Sequence, residues 1–259
     1  TSSQETNTAL LKTCDQLTIS EEFLMAETLG LFDYMRKSFS KGFILSLSGG
    51  VDSACCAALV YAMVQRAINE LGIDGFKKRL AYFKDIQDKN SIEEIMHEML
   101  CCVYQATENS GPVTENAAES LAQAISSEYH FFNVDNVLNA YKSLVQGTMD
   151  RPLSWKTDDL ALQNIQARVR APGIWMMTNL RGGLLITTSN RSEAAVGYAT
   201  MDGDTCGSIC PLGGVDKTFL RRWLRDYETN VICGCEPIAA LKFVNVQEPT
   251  AELRPKEQV

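Results

Sequence analysis

Four short apolar segments alternate with longer segments of helical periodicity, and this alternation constrains the fold more than any other feature of the sequence. Short, continuously apolar runs are typical of strands that are buried on both faces. They predict strands at 43–47, 99–104, 130–134 and 184–188, with helices at 19–38, 53–71, 77–98, 115–127, 158–180 and 217–226. Strands that alternate with helices pair in parallel through crossovers. We therefore expect an α/β fold with a doubly wound parallel sheet flanked by helices.

The size and charge of the chain argue against several classes of function. Its 259 residues are enough to bury one large core. The formal net charge of -8 disfavours non-specific binding to nucleic acid, which depends on Lys and Arg. No apolar run approaches the ~20 residues of a membrane span, so no membrane partner is expected. We expect a cytoplasmic protein, with a polar linker or tail at 1–18 and one domain at 19–259.

The nine cysteines predict free thiols rather than disulfides or a zinc site. Nine is an odd number, the chain has only two histidines, and no cysteine pair has the CxxC spacing of a zinc site. Free thiols are usual in the reducing cytosol. The pairs Cys55-Cys56 and Cys101-Cys102 lie inside apolar runs. One residue separates Cys233 from Cys235, and three residues separate Cys206 from Cys210.

A glycine turn joins the first predicted strand to the helix that follows it. The segment SGGVDS, residues 48–53, places backbone N–H groups and a helix N-terminus around one small concavity. Such a concavity attracts anions, because its amides lack partners and the helix dipole is positive there. Gly49 and Gly50 let the backbone approach a ligand closely, and Ser48 and Ser53 add hydroxyl donors. The turn therefore predicts a phosphate site.

Asp52 is the unusual member of this turn, since a carboxylate repels phosphate unless a cation lies between them. We interpret Asp52 as a Mg2+ ligand, with the metal joining the carboxylate to a polyphosphate. The alternative is a structural glycine turn in which Asp52 only caps the helix. The segment is not a P-loop, because no lysine follows the glycines, and it lacks the G-x-G-x-x-G spacing.

The predicted helix at 158–180 carries polar side chains on two faces. Asn164 and Arg168 are four residues apart and share a face, whereas Arg170 points about 200° away from Arg168. A helix this apolar is expected to be mostly buried, and buried arginines need partners. One face therefore suits the polar groups of a nucleotide, and Arg170 can serve a different ligand.

Hydroxyl and acidic side chains follow the fourth predicted strand. Thr187, Thr188 and Ser189 stand at its carboxyl end. Glu193 comes shortly after them, Asp202 and Asp204 lie in a glycine-rich loop, and a helix then opens at Lys217. Oxygen ligands from separate loops suit Mg2+, which shares its coordination shell with phosphates. A last polar turn, EPTAEL, contains Thr250.

Together these segments resemble the synthetase domain of the glutamine-dependent NAD synthetases. SLSGGVDSA after a buried strand resembles the pyrophosphate-binding signature of the N-type ATP pyrophosphatases, which have an adenine nucleotide alpha hydrolase-like fold. Three further segments resemble motifs of NAD synthetases that the other members of this superfamily lack: NxxARxR, SExxxGY…GD and EPTAEL. The resemblance covers roughly residues 27–255.

The resemblance implies an enzyme that uses ATP and Mg2+ to amidate deamido-NAD to NAD. The reaction would form an NAD-adenylate and release pyrophosphate, after which ammonia would displace AMP. In the full-length family an amidase domain in cis supplies ammonia from glutamine, and this chain has no room for that domain. We expect either an excised domain with a truncated C-terminus or a form that takes free ammonia.

The resemblance also implies a role for each matching position, and a homodimer with the helix at 158–180 in its contact. Catalysis would rest on Asp52, Asp204 and Lys217, and the metal on Asp52 and Glu193. Deamido-NAD would meet Tyr34, Asn164, Arg168 and Tyr198. ATP would meet Ser48, Gly49, Gly50, Asp52, Ser53, Arg170, Thr188, Lys217 and Thr250.

Three alternatives remain open at this point. The first is another synthetase of the same superfamily, such as a GMP synthetase. The second is a tRNA-thiolating relative, although the net charge of -8 disfavours it. The third is a module that binds ATP without chemistry, although the expected acidic and basic positions are all present. The segment 229–240 matches nothing that we can assign.

Overall fold

The computed structural model describes residues 17–247 and residue 253. The predicted linker at 1–18 lies outside these residues except for its last two positions, and Thr18 already belongs to the first helix as its N-cap. The Thr18 hydroxyl accepts a hydrogen bond from the Glu21 amide, and the Glu21 carboxylate accepts one from the Thr18 amide. This reciprocal capping box fixes the start of the helix.

Four parallel strands form the sheet, in the order β3-β2-β1-β4. They are β1 (Phe43–Ser46), β2 (Leu100–Ala106), β3 (Glu128–Asn133) and β4 (Leu184–Ile186). The predicted strands and the parallel α/β fold are therefore confirmed, with small differences at the strand ends.

Nine α-helices surround the sheet in the described part of the chain. They are α1 (Ile19–Lys37), α2 (Val51–Arg79), α3 (Ile92–Met99), α4 (Pro112–Ala124), α5 (Asp135–Gln146), α6 (Trp155–Arg181), α7 (Arg191–Val196), α8 (Lys217–Thr229) and α9 (Lys242–Asn245). Short 3-10 helices lie at Lys84–Ile86 and Ala239–Leu241.

The side chains of β1 show how the two faces of the sheet are covered. Phe43 and Leu45 point into the larger core, together with α1, α2, α3, α4 and α8. Ile44 points to the other face, where it packs with Ile174 of α6 and Leu185 of β4. Because successive side chains of a strand alternate between faces, an unbroken apolar run is what a doubly covered strand requires.

The path of the chain creates a switch point beside β1. From β1 the chain moves through β2 to β3 on one side, and then returns through α5 and α6 to β4 on the other side of β1. Ligands in open α/β sheets bind beyond the carboxyl ends of the strands at such a point. The fold therefore predicts a ligand site in the loops after β1 and β4.

The prediction of one charged helix at 77–98 is wrong. Helix α2 continues to Arg79 through a kink at Gly72, and α3 begins separately at Ile92. Gly72 has φ 68° and ψ 165°, which only glycine adopts readily, so the chain changes direction there. Ser91 then starts α3 by accepting a hydrogen bond from the Glu94 amide. Helices α5, α7 and α9 were not predicted.

Helix α2 has the length and composition of a membrane span, but 72% of its apolar window is buried inside the protein. Its apolar side chains are those of a core helix. The unassigned segment 229–240 also contributes to this core, because Ile232, Cys235 and Ile238 are buried. An isolated bridge between Ile232 and Cys235 closes a turn at its centre.

Candidate active site

A cleft of about 670 Å³ opens at the carboxyl ends of β1 and β4. Most of the predicted site residues line it, although they come from six separate segments. They are Ser48, Gly49, Gly50, Asp52, Ser53, Arg170, Thr188, Glu193, Tyr198, Asp204 and Lys217. The switch point of the sheet thus brings together positions that are distant in the sequence.

The glycine turn is held in one conformation by its serines and by helix α4. The Ser48 and Ser53 hydroxyls are 3.1 Å apart, and Ser53 Oγ also accepts a hydrogen bond from the Ser48 amide. Gly49 has φ 79°, and a Cβ atom there would lie 2.1 Å from the carbonyl oxygen of Thr114. Gly50 precedes α2 without a side-chain cap. The first amides of α2 are therefore directed at the cleft without a capping side chain.

Lys217 joins two carboxylates across the cleft. Its Nζ atom lies 2.9 Å from Asp52 Oδ2 and 2.9 Å from Glu193 Oε1. Burial by itself lowers the pKa of Lys217, but the hydrogen bonds and charges of Asp52 and Glu193 outweigh burial, so the pKa is raised above its ordinary value. Lys217 is therefore a cation at neutral pH, and it occupies the place between two acids where a cation is needed.

Asn190 makes a second connection between the two acids, which the sequence did not reveal. Its Nδ2 atom donates to Asp52 Oδ1 at 3.0 Å, and its Oδ1 atom accepts a hydrogen bond from the Glu193 amide at 3.0 Å. Asn190 is 1% exposed and is the N-cap of α7. It lies 138 residues from Asp52, so no local pattern could have indicated the pair.

Helix α6 contributes Arg170 to the cleft and uses its other polar side chains to hold a loop. Arg170 Nε donates to the carbonyl of Gln105, at the end of β2. Asn164 Oδ1 accepts a hydrogen bond from Thr200 Oγ1 at 2.9 Å, and Arg168 Nε donates to the carbonyl of Met201 at 3.0 Å. Asn164 and Arg168 thus support the loop 200–204 and do not line the cleft.

The same loop presents Asp204 to the cleft. Asp204 Oδ1 accepts a hydrogen bond from the Thr200 amide at 2.6 Å, which leaves Oδ2 without a hydrogen bond from the described residues. The Thr187 hydroxyl donates to the carbonyl of Asp204 at 3.0 Å. Thr187 follows β4 directly, so the sheet fixes the position of the loop.

Of the remaining predicted contacts, Tyr34 lies away from the cleft. Tyr34 is on the surface of α1, 50% exposed, and is not among the residues that line the cleft. Thr250 lies outside the described residues. Leu253 does line the cleft, and its carbonyl accepts a hydrogen bond from Gln166 Nε2 at 2.7 Å.

Comparisons with known proteins find related sequences. The model of the family described as NAD synthase matches residues 24–258. The chain is 32% identical over 254 residues to a glutamine-dependent NAD(+) synthetase of Oryza sativa subsp. indica, a match that covers 91% of this chain and 34% of the relative. It is 34% identical over 256 residues to the Bos taurus protein of the same name, covering 91% of this chain and 35% of that protein.

A solved structure is also similar. The crystal structure of a glutamine-dependent NAD(+) synthetase from Cytophaga hutchinsonii matches with a TM-score of 0.82 and 45% sequence identity, over 94% of this chain and 41% of that one. The chain spans about a third of the length of the curated relatives that it matches.

Proposed function

The chain belongs to the NAD synthase family, and from this premise we propose that it catalyses the ATP-dependent amidation of deamido-NAD to NAD, with release of AMP and pyrophosphate. The observation that carries the proposal is the convergence of Asp52, Glu193 and Lys217 on the glycine turn after β1. A site for polyphosphate alone would not need two carboxylates. A site that binds polyphosphate together with a metal ion needs carboxylates as ligands of the metal.

The residues present fit Mg2+ as the metal. Asp52 and Glu193 each lie 2.9 Å from one ammonium nitrogen, so their oxygens already surround the position of a single cation. Carboxylate oxygens from separate elements, completed by phosphate and water, are the ligands that Mg2+ prefers. When bound, the ion would neutralise charge on the phosphates of ATP.

In the proposed first step the nicotinate carboxylate of deamido-NAD attacks the α-phosphorus of ATP, and pyrophosphate leaves. The N-terminal amides of α2 and the hydroxyls of Ser48 and Ser53 would hold the leaving phosphates. Lys217 would move from the carboxylates to the pyrophosphate as negative charge grows there, and Arg170 would contact ATP from the opposite wall. Positioning and electrostatic stabilisation would supply most of the rate enhancement.

In the proposed second step ammonia attacks the acyl carbon of the adenylate and AMP leaves. Nitrogen arrives as ammonium or ammonia, so the site needs a group that binds the cation and accepts a proton. Asp204 fits this role, because it lines the cleft and its Oδ2 atom accepts no hydrogen bond from the described residues. Ammonium would supply nitrogen directly, and an amidase in cis would supply it from glutamine in a longer chain.

We further propose a homodimer that uses the outer face of α6. Met176 is 64% exposed and Leu180 is 76% exposed on this helix, and Leu144 of α5 is 71% exposed. Met176 and Leu180 are four residues apart and therefore share a face of α6, and large exposed apolar side chains on one face favour a partner surface. Arg168, which is also exposed on α6, would then lie near the subunit contact.

The activity is tested by incubating the purified chain with ATP, Mg2+, ammonium and deamido-NAD, followed by chromatography of NAD and AMP. We expect both products, and only when all four additions are present. Asp52→Asn should abolish product, whereas Asp74→Asn, on the exposed side of α2, should not. Amidation of xanthosine monophosphate without NAD formation would instead identify a GMP synthetase, and ATP binding without any product would identify a non-catalytic module.

A further inference from the structure

A second cluster of polar side chains lies at the amino-terminal ends of β2 and β3, on the side of the sheet opposite the cleft. Cys101 is the second residue of β2, and it is paired in register with Glu128, the first residue of β3. His130 follows two residues later and therefore points to the same face of the sheet. One potential ligand atom of each residue lies within 4.8 Å of the other two, which no other trio of His, Cys, Asp or Glu achieves within the described chain.

The hydrogen bonds of this cluster leave the Cys101 thiol and one Glu128 oxygen for a further ligand, and they engage His130 Nε2 only with Glu128. His130 Nε2 lies 2.6 Å from Glu128 Oε1, and Arg181 Nη2 lies 2.5 Å from the same oxygen. No hydrogen bond from a described residue reaches Glu128 Oε2. The Cys101 thiol likewise has no hydrogen-bond partner in the described part of the chain, although Cys101 is only 1% exposed. His130 keeps 38% of its side chain exposed, so solvent reaches the cluster from its side.

These donors have the chemistry of a zinc site and not of a magnesium site. Thiolate sulfur, imidazole nitrogen and carboxylate oxygen are the usual ligands of Zn2+, whereas Mg2+ prefers oxygen alone. One thiolate and one carboxylate also balance the charge of a divalent ion. Arg181 can keep its bond to Glu128 Oε1 while Oε2 turns to a metal.

We propose that Cys101 Sγ, Glu128 Oε2 and His130 Nε2 bind a borderline-soft divalent metal such as Zn2+, with water as the fourth ligand. When the site binds the metal, the thiol proton of Cys101 passes to solvent. The hydrogen bond between His130 Nε2 and Glu128 Oε1 breaks, and the neutral imidazole carries its proton on Nδ1. This site is separate from the cleft, which lies at the other end of the strands. It would tie β2 and β3 to Arg181, the last residue of α6, and so stabilise the fold without taking part in the reaction.

Co2+ is the probe for this proposal, because thiolate coordination gives a charge-transfer band and tetrahedral geometry gives strong visible bands. The untagged chain is titrated with Co2+ under anaerobic conditions, and Zn2+ is then added. We expect both bands to saturate near one equivalent and to disappear when Zn2+ displaces Co2+. Oxygen ligands in the cleft would give neither band.

Variants identify the ligands. Cys101→Ser should remove the charge-transfer band, and His130→Gln, which alters a partly exposed side chain and is expected to fold, should weaken Co2+ binding at least about tenfold. The double variant Cys206→Ser/Cys210→Ser, which removes two accessible thiols outside the cluster, should bind as the parent does. Zn2+ should raise the Tm of the parent by about 5 °C and leave that of His130→Gln nearly unchanged. Absence of the bands in the parent, their persistence in both ligand variants, or their loss in the double variant would overturn the proposal.

Discussion

Lys217 Nζ and Asp52 Oδ2 lie 2.9 Å apart, although 165 residues separate them in the chain. Asp52 belongs to the first turn of α2 and Lys217 to the first turn of α8. Each helix therefore begins at the cleft, and the ion pair joins their starts. Glu193 completes the arrangement at the same distance from Lys217.

The first prediction concerns the stability that is lost when the ammonium group of Lys217 is removed. Lys217→Met leaves the two carboxylates close together without a positive charge between them. We expect the free energy of unfolding without Mg2+ to fall by about 1–2 kcal/mol, between the values of exposed and buried ion pairs. Urea unfolding measures this. Lys78→Met, at an exposed position of α2, is the control and should change stability by less than about 0.5 kcal/mol. Equal stability of the two variants would contradict a structural role for the pair.

The second prediction concerns Mg2+. If Asp52 and Glu193 hold the ion, Glu193→Gln should raise the Mg2+ concentration that gives half-maximal pyrophosphate release by at least about tenfold. Asn190→Ala should act in the same direction but less strongly, because Asn190 orients Asp52 and caps α7. Glu22→Gln, on the exposed side of α1, serves as the matched control. A Mg2+ dependence that is unchanged in Glu193→Gln would remove this residue from the metal site.

The strands and the glycine turn could be predicted because their signals are local. The apolar run at 43–47 is continuous, as a strand covered on both faces requires, and the turn follows it at once. Helix α5 was missed for a local reason as well. Leu138 is its only buried residue, and it leaves Val137 and Leu144 exposed, so its pattern is not that of a helix on a core.

The geometry of the site could be predicted only in part. Resemblance named Lys217, Asp52 and Glu193, but it did not show that the lysine lies between the two acids. It also named Asn164 and Arg168 as substrate contacts, which stays a prediction, but it did not show that both have partners in the loop 200–204. Such tertiary hydrogen bonds join distant segments and leave no periodic signal in the sequence.

The third prediction concerns Gly49. Its φ of 79° already disfavours any other residue, and an added Cβ would meet the carbonyl oxygen of Thr114 at 2.1 Å. Gly182 has φ 64°, but an added Cβ there would meet only Lys41 Cδ at 4.0 Å. Gly182→Ala should therefore lower the free energy of unfolding by about 1 kcal/mol. Gly49→Ala should lower it by about 3 kcal/mol or more and should also impair ATP binding. Thermal unfolding and ATP titration measure the two effects. Equal costs would mean that the loop does not pack against α4 as described.

The fourth prediction concerns the thiols. Cys55, Cys56, Cys101, Cys102 and Cys235 are buried. Burial raises the pKa of Cys102 to about 12, so roughly one molecule in ten thousand is a thiolate there at pH 8.

Cys206 and Cys210 are accessible and should react rapidly with a thiol reagent in the native protein, whereas the buried cysteines should react only after unfolding. Mass spectrometry of the labelled peptides distinguishes them. Because Cys206 lines the cleft, ATP with Mg2+ should slow its labelling and leave that of Cys210 less affected. Equal protection of both thiols, or of neither, would place the nucleotide elsewhere.

The fifth prediction concerns the proposed dimer. Met176→Glu places a charge on the exposed apolar face of α6, where a second copy would have to bury it without a partner. Sedimentation velocity should show a dimer for the parent chain and a monomer for Met176→Glu at the same concentration. Leu29→Glu is the matched control, because Leu29 is 67% exposed on α1, away from this face. The control should remain dimeric. A parent chain that stays monomeric at high concentration, or a Met176→Glu variant as dimeric as Leu29→Glu, would show that this face is not the subunit contact.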